Sequence, residues 1–165
     1  ALGFVVVEAA GNGAGRRGVD LDSAQNLSVA AKRGRLWLGD AERLCRSSPR
    51  FRDSGAIVVG ALDCGPDSDE GGGVRYPLNP VSNRGSRLDC VAYGRDVPLP
   101  LPGVGGNALD MFHGTSAASA IVAGMVASCQ SMRVASKMPP LSAETIRAHL
   151  AQVMSGAGER RFPKR

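Results

Sequence analysis

Phe112-His113-Gly114-Thr115-Ser116-Ala117-Ala118-Ser119-Ala120-Ile121-Val122-Ala123-Gly124 decides how this chain is read. A glycine turn leads into a run of small, apolar, helix-compatible residues, which predicts a helix from about Ser116 to Arg133. Its sides are apolar nearly all round, so it is expected to lie buried against a sheet, with Gly124 allowing close backbone approach. The turn places hydroxyls at the positive end of that helix, where unpaired backbone N–H groups can stabilise a developing oxyanion. A bare Gly-Thr-Ser suits an ordinary helix cap equally well, so the surrounding chain must decide.

Working outward, Phe4-Val5-Val6-Val7-Glu8-Ala9-Ala10 is a short β-branched run closed by Gly11-Asn12-Gly13, the pattern of a buried strand entering a turn. Ile57-Val58-Val59-Gly60-Ala61-Leu62 repeats it, and Leu88-Asp89-Cys90-Val91-Ala92 is a weaker third example. Arg16 to Asp53 is polar and basic, with helical character between Ser23 and Arg46. Two Gly/Pro-rich stretches, Gly65 to Pro80 and Pro98 to Asn107, read as surface loops. A second helix is expected to open at Ser142 with Glu144 in its first turn, its apolar stripe formed by Ile146, Leu150 and Val153. Strands joined by long connections and followed by helices give an α/β class with a mostly parallel sheet, a buried helix and a C-terminal amphipathic helix. Three strands and two helices leave such a core incomplete.

Composition narrows the class further. The 165 residues suit one domain, and 43% hydrophobic content excludes wholesale disorder. Aromatic residues make up only 4%, so Val, Ala, Leu and Ile must build the core. The net charge of +5 is spread out except for a basic tail from Arg160 to Arg165, which reads as a solvated terminus. Nucleic acid and membrane are therefore not expected partners, and no apolar run is long enough for a bilayer span. Four cysteines allow one or two disulfides, and their spacing contains no Cys-x-x-Cys zinc pair. The chain starts at Ala1, with no signal peptide, and reads as a piece of something longer.

Gly-Thr-Ser-Ala-Ala-Ser followed by Ile-Val-Ala-Gly resembles the nucleophile motif of the subtilisin-like serine peptidases, the subtilases. The family pattern is similar to Gly-Thr-Ser-x-Ala-Ser-Pro-x-x-Ala-Gly, with Ala120 here where proline is usual. Val-Val-Val-Glu-Ala-Ala-Gly-Asn-Gly resembles the segment that carries the family's oxyanion asparagine. Phe51 to Ala61 and Ser82 to Gly94 resemble the next two segments, in the family's order. The resemblance implies a partial subtilisin-like fold, the C-terminal half of a catalytic domain over residues 1–158 with an insert at about 16–48 and a tail at 159–165.

It further implies a serine endopeptidase in which Ser116 is the nucleophile and the Asn12 amide joins the Ser116 N–H in holding the oxyanion. Ala9, Ala10, Gly11 and Thr115 would border a polypeptide substrate. The family's Asp and His precede its asparagine, so an upstream half of the same domain would supply both. Neither histidine here replaces them: His113 is badly aimed as a base, and His149 suits a helix surface. A serine without its base is a poor nucleophile, so the isolated chain is expected to be inactive. No cofactor is expected; some relatives bind structural calcium, but Asp67-Ser68-Asp69-Glu70 reads as solvated loop. Secretion is implied by family habit alone. The competing class is an inactive remnant acting as a binding module. Nucleotide binding is disfavoured, because Arg16 interrupts the Gly-x-Gly-x-x-Gly pattern that would begin near Gly11.

Overall fold

Ile57–Leu62 forms the central strand, a continuous apolar run buried on both faces as the inner strands of parallel sheets are. The computed structural model describes residues 3–13, 17–23, 25–27, 41–63, 67–68, 74–75, 77–100 and 109–156. In chain order the strands are β1 (Val7–Ala9), β2 (Ile57–Leu62), β3 (Asp67–Ser68), β4 (Val74–Arg75), β5 (Cys90–Tyr93), β6 (Val97–Pro100) and β7 (Leu109–Phe112). Two helices follow, α1 (Thr115–Ala135) and α2 (Ala143–Gly156). The main sheet has the order β1-β2-β5 and is wholly parallel, with Val7 opposite Ile57 and Val59 opposite Cys90. The α/β class read from the sequence is therefore the class observed.

Alternation along β2 divides the core in two. Ile57, Val59 and Ala61 point to one side and pack with Cys90, Ala118, Val122 and Ile146. On the other side a Cβ on Gly60 would lie 2.4 Å from Leu88 Cδ2. Leu88 in turn packs on Leu21, Leu27 and Cys45. The basic segment expected to be an insert thus supplies a second small core. Residues 25–27 are helical and Ala41–Leu44 is a 3-10 turn; the rest of the helix anticipated between Ser23 and Arg46 falls largely outside the described residues.

Both predicted loops contain pairing. β6 and β7 form an antiparallel hairpin with Val97 opposite Phe112 and Pro100 opposite Leu109. Proline hides such a strand from composition, yet a two-stranded ribbon is all edge and can accept it. β3 and β4 make a two-residue antiparallel pair, and Leu78 bridges back to Leu62. Residues 65–66, 69–73 and 76 of the first predicted loop, 101–107 of the second, and the tail at 159–165 lie outside the described residues.

α1 extends slightly beyond its predicted ends but is not buried all round. Thr115, Ala117, Ala118 and Val122 face the sheet, whereas Met125 and Met132 are 64% and 65% exposed. Three strands cover only the first turns on one side of a helix about 32 Å long. Gly124 meets nothing within 4 Å, so it serves no close approach among the described residues. By length and composition alone α1 would suffice to cross a membrane, contrary to the expectation that no run was long enough. Its C-terminus closes with a Schellman arrangement: Met138 N–H reaches Arg133 O, Lys137 N–H reaches Val134 O, and Lys137 takes φ 58°.

Ser142 caps α2 by accepting the Thr145 N–H, as its position predicts. Ile146 is buried and Leu150 packs beside it, but Val153 is 68% exposed. The polar side of α2 is anchored too. Arg147 makes paired 3.0 Å bonds to the Asp53 carboxylate and reaches Asp89 at 3.0–3.1 Å. Asp89 also accepts the Val58 N–H at the start of β2 and pairs with Arg87, whose side chain is 3% exposed. Cys45, Cys90 and Cys129 are free, so no disulfide forms among the described residues.

The Arg147 hydrogen bonds hold Asp53 at about 2, below the ordinary 3.8, against a smaller opposing effect of burial. A carboxylate depressed in the folded state stabilises above its unfolded value and loses that contribution as pH falls through the folded one. Stability should therefore drop between about pH 4 and pH 2, and the drop should shrink in Asp53→Asn. Arg147→Met should cost about 1–3 kcal/mol at neutral pH by stripping charge-assisted bonds from Asp89. Urea midpoints across pH check both, and an unaltered acid limb in Asp53→Asn would contradict the assignment.

Candidate active site

Parallel strands bring their C-terminal ends together, and here those ends carry Asn12 after β1, Asp63 after β2 and Gly94 after β5. α1 begins at the same end of the sheet. The segment after β1 is held from several directions. Ala10 N–H donates to Val59 O, while Ala10 O accepts the Asn83 Nδ2–H and Gly11 O accepts the Asn83 N–H. Gly11 takes φ 93°, and a Cβ there would lie 2.8 Å from Asn83 Nδ2, so the turn needs glycine on both counts.

Thr115 joins this segment to the helix. Its hydroxyl accepts the Gly11 N–H at 3.1 Å and donates to Asn12 Oδ1 at 3.1 Å. Its own N–H donates to the same oxygen at 2.9 Å. Two donors converging on Asn12 Oδ1 orient the amide and leave Nδ2 as its donor group. Gly114, with φ 86°, permits the approach, since a Cβ there would lie 2.4 Å from Asn12 Nδ2. Ser116 follows at the second position of α1, where it is exposed at the positive end of the helix.

The structure thus gathers Asn12, Gly11 and Thr115 at one point, with Ser116 next to them. Thr115, expected beside the substrate, is only 1% exposed, and its hydroxyl is committed internally. The Ala10 and Gly11 N–H groups are likewise committed. Even-numbered residues of the β1 segment bond to β2, as Ala10 and Val6 do, so the Ala9 backbone faces the open edge of the sheet. His113 Nδ1 accepts the Asp96 N–H at 3.2 Å on an exposed turn. His149 Nδ1 bonds Thr145 O on the surface of α2, as read from the sequence. The Cys90 thiol is pushed up to about 12, by burial first and by Asp89 second, which makes it inert as a nucleophile.

Sequence reasoning did not assign a role to Asn83, which is 5% exposed and positions the Ala10–Gly11 backbone while accepting the Val19 N–H. Ser82 is similarly hidden, accepting the Ala61 N–H and donating to Asn83 O. The signal was the Ser82-Asn83-x-Gly85 run itself, polar residues beside a turn that lies far from Asn12 in sequence.

A family model described as the subtilase family matches residues 1–162. No curated protein matches the chain. Among solved structures it is similar to one titled "Structure of self-cleaved protease domain of PatA", at 24% identity and a TM-score of 0.42. That match covers 78% of this chain and 57% of the other, so this chain spans little more than half the length of that relative.

Replacing Thr115 by valine keeps its shape but removes the hydroxyl, leaving the Gly11 N–H unpaired. Thr115→Val should destabilise by about 1–3 kcal/mol. Thr115→Ser, which loses one methyl and keeps both bonds, should cost under about 1 kcal/mol. Equal losses in chemical denaturation would show that the hydroxyl does not hold the turn.

Proposed function

The chain belongs to the subtilase family, and from that premise we propose that it carries the nucleophile and oxyanion hole of a serine endopeptidase. In this reading residues 1–158 are the C-terminal half of the catalytic domain, and an upstream half supplies the Asp and the His. Ser116 Oγ attacks the scissile carbonyl carbon as that histidine takes its proton. The tetrahedral oxyanion accepts hydrogen bonds from Asn12 Nδ2 and the Ser116 N–H. Collapse expels the amine, which takes the proton back from the histidine, and leaves an acyl group on Ser116. Water then attacks the ester by the same route in reverse. No cofactor enters these steps.

The observation that carries this reading is the convergence of Thr115 N–H and hydroxyl on Asn12 Oδ1. An asparagine used only as a turn residue has no need of its amide being fixed from a helix start 103 positions away. Fixing Oδ1 preorganises Nδ2 as a donor, and preorganised donors are the main source of oxyanion stabilisation. Ala9, at the open edge of β1, is the residue of the Ala9–Gly11 segment whose backbone is available to an extended polypeptide. Thr115 serves as a positioning residue. α1 reads as the nucleophile-bearing core helix of the domain, its bare side left for the other half. Secretion stays part of the family reading, to which the unpaired cysteines add nothing.

In the full-length product a fluorophosphonate probe should label wild type and spare Ser116→Ala. Asn12→Ala should slow peptide turnover by about 100- to 1000-fold, a range for losing one oxyanion donor that was itself set on a subtilisin. Residues 1–165 alone should give negligible turnover. Equal labelling of wild type and Ser116→Ala would sink Ser116 as the nucleophile, and no labelling of either would favour a remnant that binds without cleaving.

A further inference from the structure

The turn that presents Ser116 is held from a second side, by residues that the proposed chemistry does not use. Gly114 N–H donates to Gly94 O at 2.7 Å, and Asp96 N–H donates to His113 Nδ1 at 3.2 Å. The turn after β5 therefore grips two successive residues immediately before Thr115. The contact is close, since a Cβ on Gly94 would lie 2.7 Å from Gly114 O. Asp96 takes φ 52°, a conformation uncommon for a residue with a side chain. In that conformation both its N–H and its carboxylate face His113, Oδ1 lying 3.7 Å from the same Nδ1.

One ring nitrogen thus has two alternative partners. A neutral imidazole with its lone pair on Nδ1 can accept the Asp96 N–H. A protonated ring has no lone pair there; it must release that N–H and turn to the Asp96 carboxylate. Histidine is the side chain that changes charge in the physiological range. We propose that His113 is a positioning residue whose protonation state selects how the Ser116 turn is tied to the turn after β5. Neutral His113 holds the turn through the Asp96 backbone, and charged His113 slackens it.

Among the described residues the charges around His113 are those of Asp96, Arg95 and Asp110. Arg95 Nε lies 3.7 Å from the far oxygen of Asp96, and Arg95 also pairs with Asp63 at the end of β2. Asp110 on β7 caps the Met111 N–H next to it in sequence. The bond from the Asp96 N–H is the arrangement suited to the neutral ring, whose Nδ1 lone pair accepts it.

The effect on reactivity rests on Ser116 being the nucleophile, whereas the tie itself does not. In the full-length protein the Asp96 amide resonance should move with pH in step with the His113 ring, and should cease to do so in His113→Asn. Asparagine places a permanent acceptor near the position of Nδ1. On the acid side, fluorophosphonate labelling of wild type should fall about fivefold further than that of His113→Asn, the loss of roughly one net hydrogen bond. His113→Ala should label slowly at every pH, and His113→Asn should restore the neutral rate. An Asp96 amide indifferent to His113, or superimposable profiles for wild type and His113→Asn, would overturn the proposal. Equal labelling of Ser116→Ala and wild type would instead sink the nucleophile, with the Asp96 amide still deciding the tie.

Discussion

The hydroxyl of Thr115 is the joint on which this molecule depends. It accepts from Gly11 and donates to Asn12, so one side chain fixes both the backbone after β1 and the amide beside it. Everything around it is arranged to let the two segments meet. Gly11 and Gly114 adopt positive φ, Asn83 holds the Ala10–Gly11 backbone from behind, and the parallel sheet sets β1 and α1 at one end. A buried hydroxyl with both its donor and its acceptor matched contributes direction as well as energy, because neither partner can rotate without leaving a polar group unpaired.

At the opposite end of the sheet the constraint is ionic. Asp89 sits one residue before β5, bonds the backbone at the start of β2, and receives Arg147 from α2 and Arg87 from its own segment. A buried carboxylate with that many donors locks the strand starts to the last helix. Neutral hydrogen bonds orient Asn12 next to Ser116, whereas charged ones bind the strand starts to α2.

How much could be read from the sequence follows from which physical signal each part carries. β2 was legible to the residue, because a run buried on both faces has no competing interpretation. α1 was legible in extent but not in exposure, since apolar composition reports what a helix can bury rather than what is present to cover it. β6 was missed because Pro98 and Pro100 argue against strands everywhere except at an edge. Asn12 and Ser116 were singled out through family-like runs, and the contact between Thr115, the neighbour of Ser116, and Asn12 became visible only in the structure. Asn83 and Asp96 were silent, because their roles depend on contacts across long stretches of chain and on backbone angles that residue type does not fix.

The span of the Thr115 contact carries a consequence for how the molecule matures. The bond from Gly11 N–H to Thr115 Oγ1 closes a loop of 104 positions, and that from Asn83 Nδ2 to Ala10 O one of 73. Contacts so distant in sequence form late, after the sheet has met the entropic cost of closing those loops. During synthesis β1 emerges long before α1 does, so Asn12 exists for most of that time without the two donors that aim it. Without the α1 junction Asn12 Oδ1 loses both Thr115 donors, so the order of the amide is tied to the last long-range contact of the chain to close.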